Sequence, residues 1–240
     1  MMKRVHHYLY LGSVGFFFIL LYPLLYHYSR KGDRFRKMNG IRRIFGFLSS
    51  SVVGIFYRYR FEEKIDWNKH YIICANHSSN LDITVISQLL RSGYAFMGKE
   101  ELLDNPVTAL FFRTIDIPVN RESKMSAFRA FKRAEEYLRN GITLVIFPEG
   151  KIPNDFPPVL HPFKNGPFRL AIEQKVPIIP VSIKNIWKIM WDDGLKYGSR
   201  PGICNICVHS PVATDHLTID DADTLRDRIF KIIKEGVNND

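Results

Sequence analysis

A histidine and an aspartate five residues apart are the part of this sequence best suited to proton chemistry. His77 and Asp82 lie in the stretch Asn-His-Ser-Ser-Asn-Leu-Asp, shortly after the apolar run Tyr71–Cys74. A carboxylate at this spacing can accept a hydrogen bond from one ring nitrogen and leave the other free to take a proton. It also stabilises the positive charge that the ring then carries. The pair is therefore predicted to act as a general base toward a hydroxyl group.

Further charged residues follow other apolar runs. Glu149 and Gly150 come after the run Ile142–Phe147, and α/β proteins place ligand groups just past buried strands. Arg121 ends another such run, and its planar guanidinium suits a phosphate. Each residue alone is typical of an ordinary surface, so the prediction of an anion site depends on several of them converging. The additional candidate cations are Lys99, Lys151 and Lys164.

Short apolar runs alternate with amphipathic stretches across residues 61–240, which we predict to be the catalytic domain. This alternation predicts an α/β fold with a mixed sheet flanked by helices. Expected strands are Tyr71–Cys74, Tyr94–Met97, Ile142–Phe147, Ile178–Ile183 and Cys204–His209. Expected helices are Asp82–Arg91, Ser123–Arg139, Gly166–Gln174 and Asp220–Lys234. Pro180 predicts an edge position or a bulge for its strand, and Pro153–Pro167 is expected to be an irregular loop over the site.

Residues 1–60 have the composition of a membrane anchor. Tyr8–Tyr26 carries no charge and as a helix would span roughly 28 Å, close to a hydrocarbon core of about 30 Å. A second uncharged segment, Ile44–Tyr57, is shorter and is predicted to be interfacial or re-entrant. We therefore expect a two-helix anchor with the catalytic domain on the cytoplasmic side. A single span and a signal peptide are the alternatives, although no small-residue cleavage site follows.

The net charge of +10 and the pI of about 9.5 require an anionic partner. The basic residues between 30 and 43 adjoin apolar segments, which favours anionic membrane lipid over nucleic acid. Three cysteines are too few for a disulfide framework. Cys204 and Cys207 form a lone CxxC in a strand-like run without a second pair, which disfavours zinc or redox use. No metal and no cofactor are expected.

Four ordered motifs together resemble the 1-acylglycerol-3-phosphate acyltransferase family of glycerolipid synthesis. They are Asn76-His77-x4-Asp82, Val119-Asn120-Arg121, Phe147-Pro148-Glu149-Gly150 and the run from Val176 to Val181. The resemblance implies that His77 and Asp82 are catalytic and that Arg121, Glu149 and Gly150 bind the glycerophosphate. Asn76, Lys99 and Lys151 are expected to assist in substrate binding.

The resemblance implies transfer of a fatty acyl group from an acyl-CoA or acyl carrier protein thioester to a lysophospholipid hydroxyl. The expected location is the cytoplasmic face of the bacterial inner membrane. Two positions depart from the family pattern: Asp116 replaces a usual glycine, and Lys151-Ile152-Pro153 replaces a usual Thr-Arg-Ser. The second departure removes a phosphate-binding arginine, so a lyso-aminolipid acceptor is the nearest alternative. A lipid hydrolase and a non-catalytic membrane-binding protein are more distant ones.

Overall fold

Seven strands form one mixed sheet in the computed structural model, which describes residues 1–91, 93–120 and 122–238. The strands are β1 (Ile55–Phe61), β2 (Ile72–Ala75), β3 (Tyr94–Lys99), β4 (Ile117–Val119), β5 (Thr143–Ile146), β6 (Ile178–Ile183) and β7 (Gly202–Val208). Their order across the sheet is β1-β7-β6-β2-β5-β3-β4. Only β6 and β7 pair antiparallel, so β1 and β7 run opposite to the other five strands. The predicted mixed α/β fold is confirmed.

Eight α-helices surround the sheet within the described part of the chain. They are α1 (Met2–Ser29), α2 (Arg34–Ser51), α3 (Asp82–Leu89), α4 (Pro106–Phe112), α5 (Lys124–Arg139), α6 (Gly166–Gln174), α7 (Ile186–Ile189) and α8 (Ala222–Asn238). Ser123 caps α5 as predicted, because its side chain accepts a hydrogen bond from the Ser126 amide. The sequence patterns missed β4, α4 and α7, since short elements carry too few residues for a periodic signal. They also missed β1, because its first residues were assigned to the membrane segment Ile44–Tyr57.

The central strands are buried on both faces. In β2, Ile73 and Ala75 point into a core shared with α3 and α7, and Ile72 and Cys74 point into a core shared with α5, α6 and α8. A strand covered on both sides reads as a continuous apolar run, which is why Tyr71–Cys74 was recognisable. This double coverage holds the carboxyl end of β2, and hence His77, in a rigid frame.

Pro180 does not mark an edge strand, because β6 lies between β2 and β7. The carbonyl of Pro180 accepts a hydrogen bond from the His209 amide, and two residues earlier Ile178 forms an isolated bridge with Val212. Between these two contacts the facing chain advances three residues, from His209 to Val212, whereas β6 covers only two, from Pro180 to Ile178. The missing proline N–H falls at this bulge-like irregularity, which was the other prediction made for Pro180.

Helix α2 packs one face on the protein and exposes apolar side chains such as Ile44 and Phe47 on the other. Its face containing Met38, Arg42 and Ser49 is buried in the protein, and Ile44–Tyr57 divides between the end of α2 and the start of β1. Arg42 is buried against Asp116 and so does not face lipid. Within the described residues, only α1 has the length and apolar composition to cross a membrane.

Candidate active site

The loop between β2 and α3 brings the predicted pair together. His77 Nδ1 lies 2.8 Å from Asp82 Oδ2, and Asp82 is completely buried. The same carboxylate oxygen accepts hydrogen bonds from the backbone amides of Ser78 and Ser79, at 2.8 and 2.9 Å. Asp82 therefore shapes the whole loop around the ring, and the pairing assigns the proton on His77 to Nδ1.

The His77 ring is held by stacking as well as by Asp82. It lies parallel to the Phe147 ring, with centroids 4.1 Å apart and planes 15° apart. Within the described part of the chain, Nε2 has no hydrogen-bond partner, and the residue lines an open cavity of about 320 Å³. A fixed ring with an available Nε2 facing a cavity is the geometry that a general base requires.

The backbone amides around His77 are already engaged. The His77 amide donates to Glu149, those of Ser78 and Ser79 donate to Asp82, and the Asn80 amide donates to the Asp192 carbonyl. An oxyanion-binding N–H in this loop would be a natural expectation for an acyl transfer site. Residues 77–80 do not offer one, because each amide has an internal acceptor.

Glu149 clamps two loops rather than pointing into solvent. Its Oε1 accepts from the His77 amide and its Oε2 from the His161 amide, both at 2.8 Å. Burial raises the pKa of this carboxyl to about 7, although the two backbone hydrogen bonds and the nearby histidines oppose the shift. Glu149 thus ties the irregular segment before α6 to the catalytic loop.

Gly150 and three lysines border the space beside His77. Gly150 has a φ of +79°, and a Cβ there would lie 3.0 Å from Cε and 3.2 Å from Nζ of Lys164. Lys99, Gly150 and Lys151 line both the His77 cavity and an adjoining cavity of about 830 Å³, which Lys164 also lines. The same larger cavity is also lined by five carboxylates, those of Glu100, Glu101, Asp104, Glu122 and Glu149. Arg121 lies outside the described residues.

Asn76 and Asp116 have structural partners. The Asn76 amide nitrogen donates to the Ile183 carbonyl at 2.9 Å, and its amide oxygen accepts from the Ile183 N–H at 2.7 Å. This bond joins the carboxyl ends of β2 and β6 and positions the catalytic loop. Asp116, which departs from the family pattern, accepts from Arg42 and from the Phe96 amide. Burial raises the pKa of Asp116, and the Arg42 charge opposes that shift.

Sequence reasoning missed two features of the site. A mostly apolar cavity of about 450 Å³ is lined by residues of α1, α2 and α4. It shares lining residues with the His77 cavity, namely Asn80, Ile83, Phe96, Leu102 and Phe112. Asp192 also lines the His77 cavity, and burial raises its pKa against the opposing charges of His77 and Lys99. No spacing signal links Asp192 to His77, because the contact arises from chain segments more than a hundred residues apart in the sequence.

The site thus combines a His–Asp pair at the carboxyl end of a parallel strand with an adjoining apolar cavity and a second cavity lined by lysines and carboxylates. The family model described as Acyltransferase matches residues 57–184. The chain belongs to this acyltransferase family, as the ordered motifs predicted.

Individual relatives agree with this membership. The 1-acyl-sn-glycerol-3-phosphate acyltransferase of Saccharomyces cerevisiae is 30% identical over 70% of this chain and 56% of that protein. The alpha form of this enzyme from Mus musculus is 29% identical over 69% of this chain and 59% of its own length. An uncharacterized acyltransferase of Schizosaccharomyces pombe is 27% identical over 74% and 64%. The chain thus matches less than two thirds of the length of these curated relatives.

A solved structure has the same fold. The crystal structure of the 1-acyl-sn-glycerophosphate (LPA) acyltransferase PlsC from Thermotoga maritima superposes with a TM-score of 0.78. The match covers 98% of this chain and 96% of that one, at 24% sequence identity. The shared architecture therefore includes the N-terminal helices as well as the sheet.

Proposed function

We propose that this protein is a membrane-bound 1-acylglycerol-3-phosphate O-acyltransferase. It would move a fatty acyl group from an acyl-CoA or acyl carrier protein thioester to the free hydroxyl of 1-acylglycerol-3-phosphate and yield phosphatidic acid. The observation that carries the proposal is that the His77 cavity shares lining residues with two other cavities. One is mostly apolar and lies against α1 and α2, and the other is lined by three lysines and five carboxylates.

The chemistry follows from the orientation of the ring. Nε2 of His77 removes the proton from the acceptor hydroxyl as that oxygen attacks the thioester carbonyl carbon. Asp82 holds the Nδ1 proton and stabilises the imidazolium. The tetrahedral intermediate then collapses, the C–S bond breaks, and the imidazolium returns its proton to the departing thiolate. Neither Ser78 nor Ser79 is required as a nucleophile.

The lysines beside the site support an acceptor that carries a phosphate. Lys99, Lys151 and Lys164 border the larger cavity together with five carboxylates, and Lys99 and Lys151 also border the His77 cavity, where no glutamate is among the lining residues described. A phosphate held there would keep the acceptor hydroxyl near Nε2. We assign Gly150 and Glu149 to shaping this cavity, Asn76 to positioning the loop, and Arg121 to a further phosphate contact predicted from its motif.

The acceptor is tested by supplying the purified protein with lysophosphatidic acid and a lyso-aminolipid in competition, with mass analysis of the products. The proposal expects phosphatidic acid as the main product, and it expects Lys151→Ala to raise the KM for lysophosphatidic acid about tenfold while Lys151→Arg restores it. Lys188→Ala is the control, because Lys188 is an exposed lysine away from this cavity. A preference for the lyso-aminolipid would favour the alternative acceptor, which the missing arginine after Gly150 supports. Free fatty acid as the sole acyl product would identify a hydrolase.

The apolar cavity supports binding of the acyl chain. Side chains of α1, including Val14, form part of its wall, and five residues line both this cavity and the His77 cavity, so the two are adjacent. We expect Val14→Phe to shift the preferred donor toward shorter acyl chains. Ile19→Phe is the matched control, because Ile19 lies on the same helix with 74% of its surface exposed. If Val14→Phe left the preferred donor chain length unchanged, the acyl chain would not bind in this cavity.

The proposed location is the membrane surface, on the cytoplasmic face of the bacterial inner membrane. Helix α1 is long and apolar enough to cross the bilayer, and its exposed side chains include Leu9, Phe16 and Ile19. Basic residues follow it at Arg30, Lys31 and Arg36, where each contributes roughly 1 kcal/mol of attraction to anionic lipid. Flotation with anionic and neutral vesicles tests this, and equal binding to both would contradict the electrostatic part.

A further inference from the structure

A second histidine–carboxylate pair lies at the other edge of the sheet. Strands β1 and β7 are parallel and in register from Ile55 with Gly202 to Phe61 with Val208. The residues that follow, Glu62 and His209, therefore stand side by side. Because β1 and β7 run opposite to the strands that carry His77, their carboxyl ends face away from the active site.

The hydrogen bonds of His209 constrain its protonation. Ser182 Oγ donates to the Ile233 carbonyl at 3.1 Å and lies 2.8 Å from His209 Nε2. When the hydroxyl donates to this carbonyl, Nε2 carries the proton that bridges to Ser182. A neutral ring then presents its lone pair at Nδ1, which is the form that binds metal ions.

The Nδ1 lone pair faces another acceptor. Glu62 Oε1 lies 2.7 Å from His209 Nδ1, so in this tautomer a proton or a metal ion must lie between the two atoms. A proton would satisfy these two atoms alone. The third neighbour distinguishes the possibilities, since Cys207 Sγ lies 3.9 Å from Nδ1 and 4.0 Å from Oε1. Cys207 and His209 share a face because they are two residues apart at the end of a strand.

We propose that Glu62, Cys207 and His209 form a zinc-binding site. Thiolate, imidazole and carboxylate are the donors that Zn²⁺ selects, and two ionised ligands neutralise its charge. Ideal tetrahedral zinc needs about 3.3 Å between N and O and about 3.5 Å from S to each. Side-chain shifts of about 0.5 Å reach this geometry from the distances above.

The surroundings supply what a zinc site needs beyond its ligands. The Ser210 amide donates to Glu62 Oε2 at 3.1 Å, which leaves Oε1 directed at the histidine. Ser182 orients the His209 ring from behind. A Cβ on Gly236 of α8 would lie 2.3 Å from Ser182 Oγ and 2.6 Å from His209 Nε2, so glycine there keeps room for both. The three donors border an open cavity of about 290 Å³, from which water can supply the fourth ligand.

A serine hydrolase is the other reading of a Glu–His–Ser chain, and the burial of Ser182 opposes it. Ser182 has no exposed surface, and its hydroxyl lies within hydrogen-bond distance of the Ile233 carbonyl. No substrate carbonyl can reach Oγ without opening the core between β6 and α8. The accessible side of the cluster is the one that carries Glu62 and Cys207.

Metal binding to the full-length purified protein tests the proposal. After incubation with zinc chloride and removal of excess metal, we expect about one equivalent of bound zinc. Cobalt(II) in its place should show tetrahedral d–d bands and a thiolate charge-transfer band. Cys207→Ser should abolish the charge-transfer band, and Glu62→Gln should weaken zinc binding at least tenfold. Cys204→Ser is the matched control, since Cys204 is buried in the same strand outside the cluster, and it should behave like the unmodified protein.

Two results would overturn the site. One is less than a tenth of an equivalent of zinc in the unmodified protein, and the other is an unchanged cobalt spectrum in Cys207→Ser. Thermal unfolding provides a second measurement, which also shows whether each variant is folded. Zinc should raise the Tm of the unmodified protein and of Cys204→Ser, because it binds only the folded state, and should leave the Tm of Cys207→Ser unchanged.

Discussion

Two histidine–carboxylate pairs in this protein have nearly the same separation and opposite surroundings. His77 and Asp82 are 2.8 Å apart, and His209 and Glu62 are 2.7 Å apart. In the first pair the carboxylate is fully buried and Nε2 faces a cavity, whereas in the second Nε2 is tied to Ser182 and the carboxylate is 38% exposed. A short histidine–carboxylate contact therefore does not by itself indicate a general base. The indication comes from whether Nε2 remains available to a substrate.

Replacing the histidine of each pair should give the largest difference in activity between the two pairs. His77→Ala should lower kcat about 10³- to 10⁴-fold, because the acceptor hydroxyl loses its base. His209→Gln should keep activity within about threefold, since its ring lies at the other edge of the sheet. Steady-state kinetics with lysophosphatidic acid and far-UV circular dichroism measure both effects. Full activity in folded His77→Ala would refute the mechanism.

Replacing each carboxylate by its amide sharpens the contrast. Asp82→Asn places an N–H₂ group or a weaker acceptor beside Nδ1 and so favours the wrong tautomer of His77. We expect kcat to fall about 10³-fold with little change in KM. Glu62→Gln should leave turnover nearly unchanged. Equal losses in the two variants would show that Asp82 acts through general stability rather than through the ring.

Glu149 connects the catalytic pair to the rest of the site and should make stability depend on pH. Its folded-state pKa of about 7 exceeds the ordinary value of 4.5, so the folded protein holds this proton longer than the unfolded chain does. The stability contribution is therefore fully present below about pH 4.5 and is lost as the pH rises through 7, with a slope of at most about 1.4 kcal/mol per unit. Denaturant unfolding of the unmodified protein and Glu149→Gln across this range measures it. If the unfolding free energies of the two proteins changed with pH in parallel, this would contradict the raised pKa of Glu149.

The smallest predicted effect separates backbone strain from contact with the site. Gly150 and Gly141 have φ values of +79° and +74°, but only a Cβ at Gly150 would meet Lys164. Both alanine variants should lose about 1 kcal/mol of unfolding free energy. Only Gly150→Ala should also raise the KM for lysophosphatidic acid severalfold. A similar rise in Gly141→Ala would assign the effect to strain alone.

Local sequence patterns predicted several buried strands and amphipathic helices well. The helix Gly166–Gln174 was placed to the residue, and the strands at β2, β5 and β6 were found within a residue or two, because their hydrophobic periodicity and their glycine and proline boundaries are local properties. The anchor was harder. The uncharged segment after residue 44 resembled a membrane-interface segment, whereas the fold uses part of it as a helix packed on the protein and part as strand β1.

The sequence by itself determined the pairing of His77 with Asp82, since the two are close in the chain and a short turn suffices to join them. Tertiary structure decided everything that joins distant segments. The Glu149 clamp spans 72 residues, the Arg42–Asp116 pair spans 74, and the Glu62–His209 pair spans 147. Such contacts depend on strand order and register, which the pairing of whole surfaces sets and no local pattern encodes.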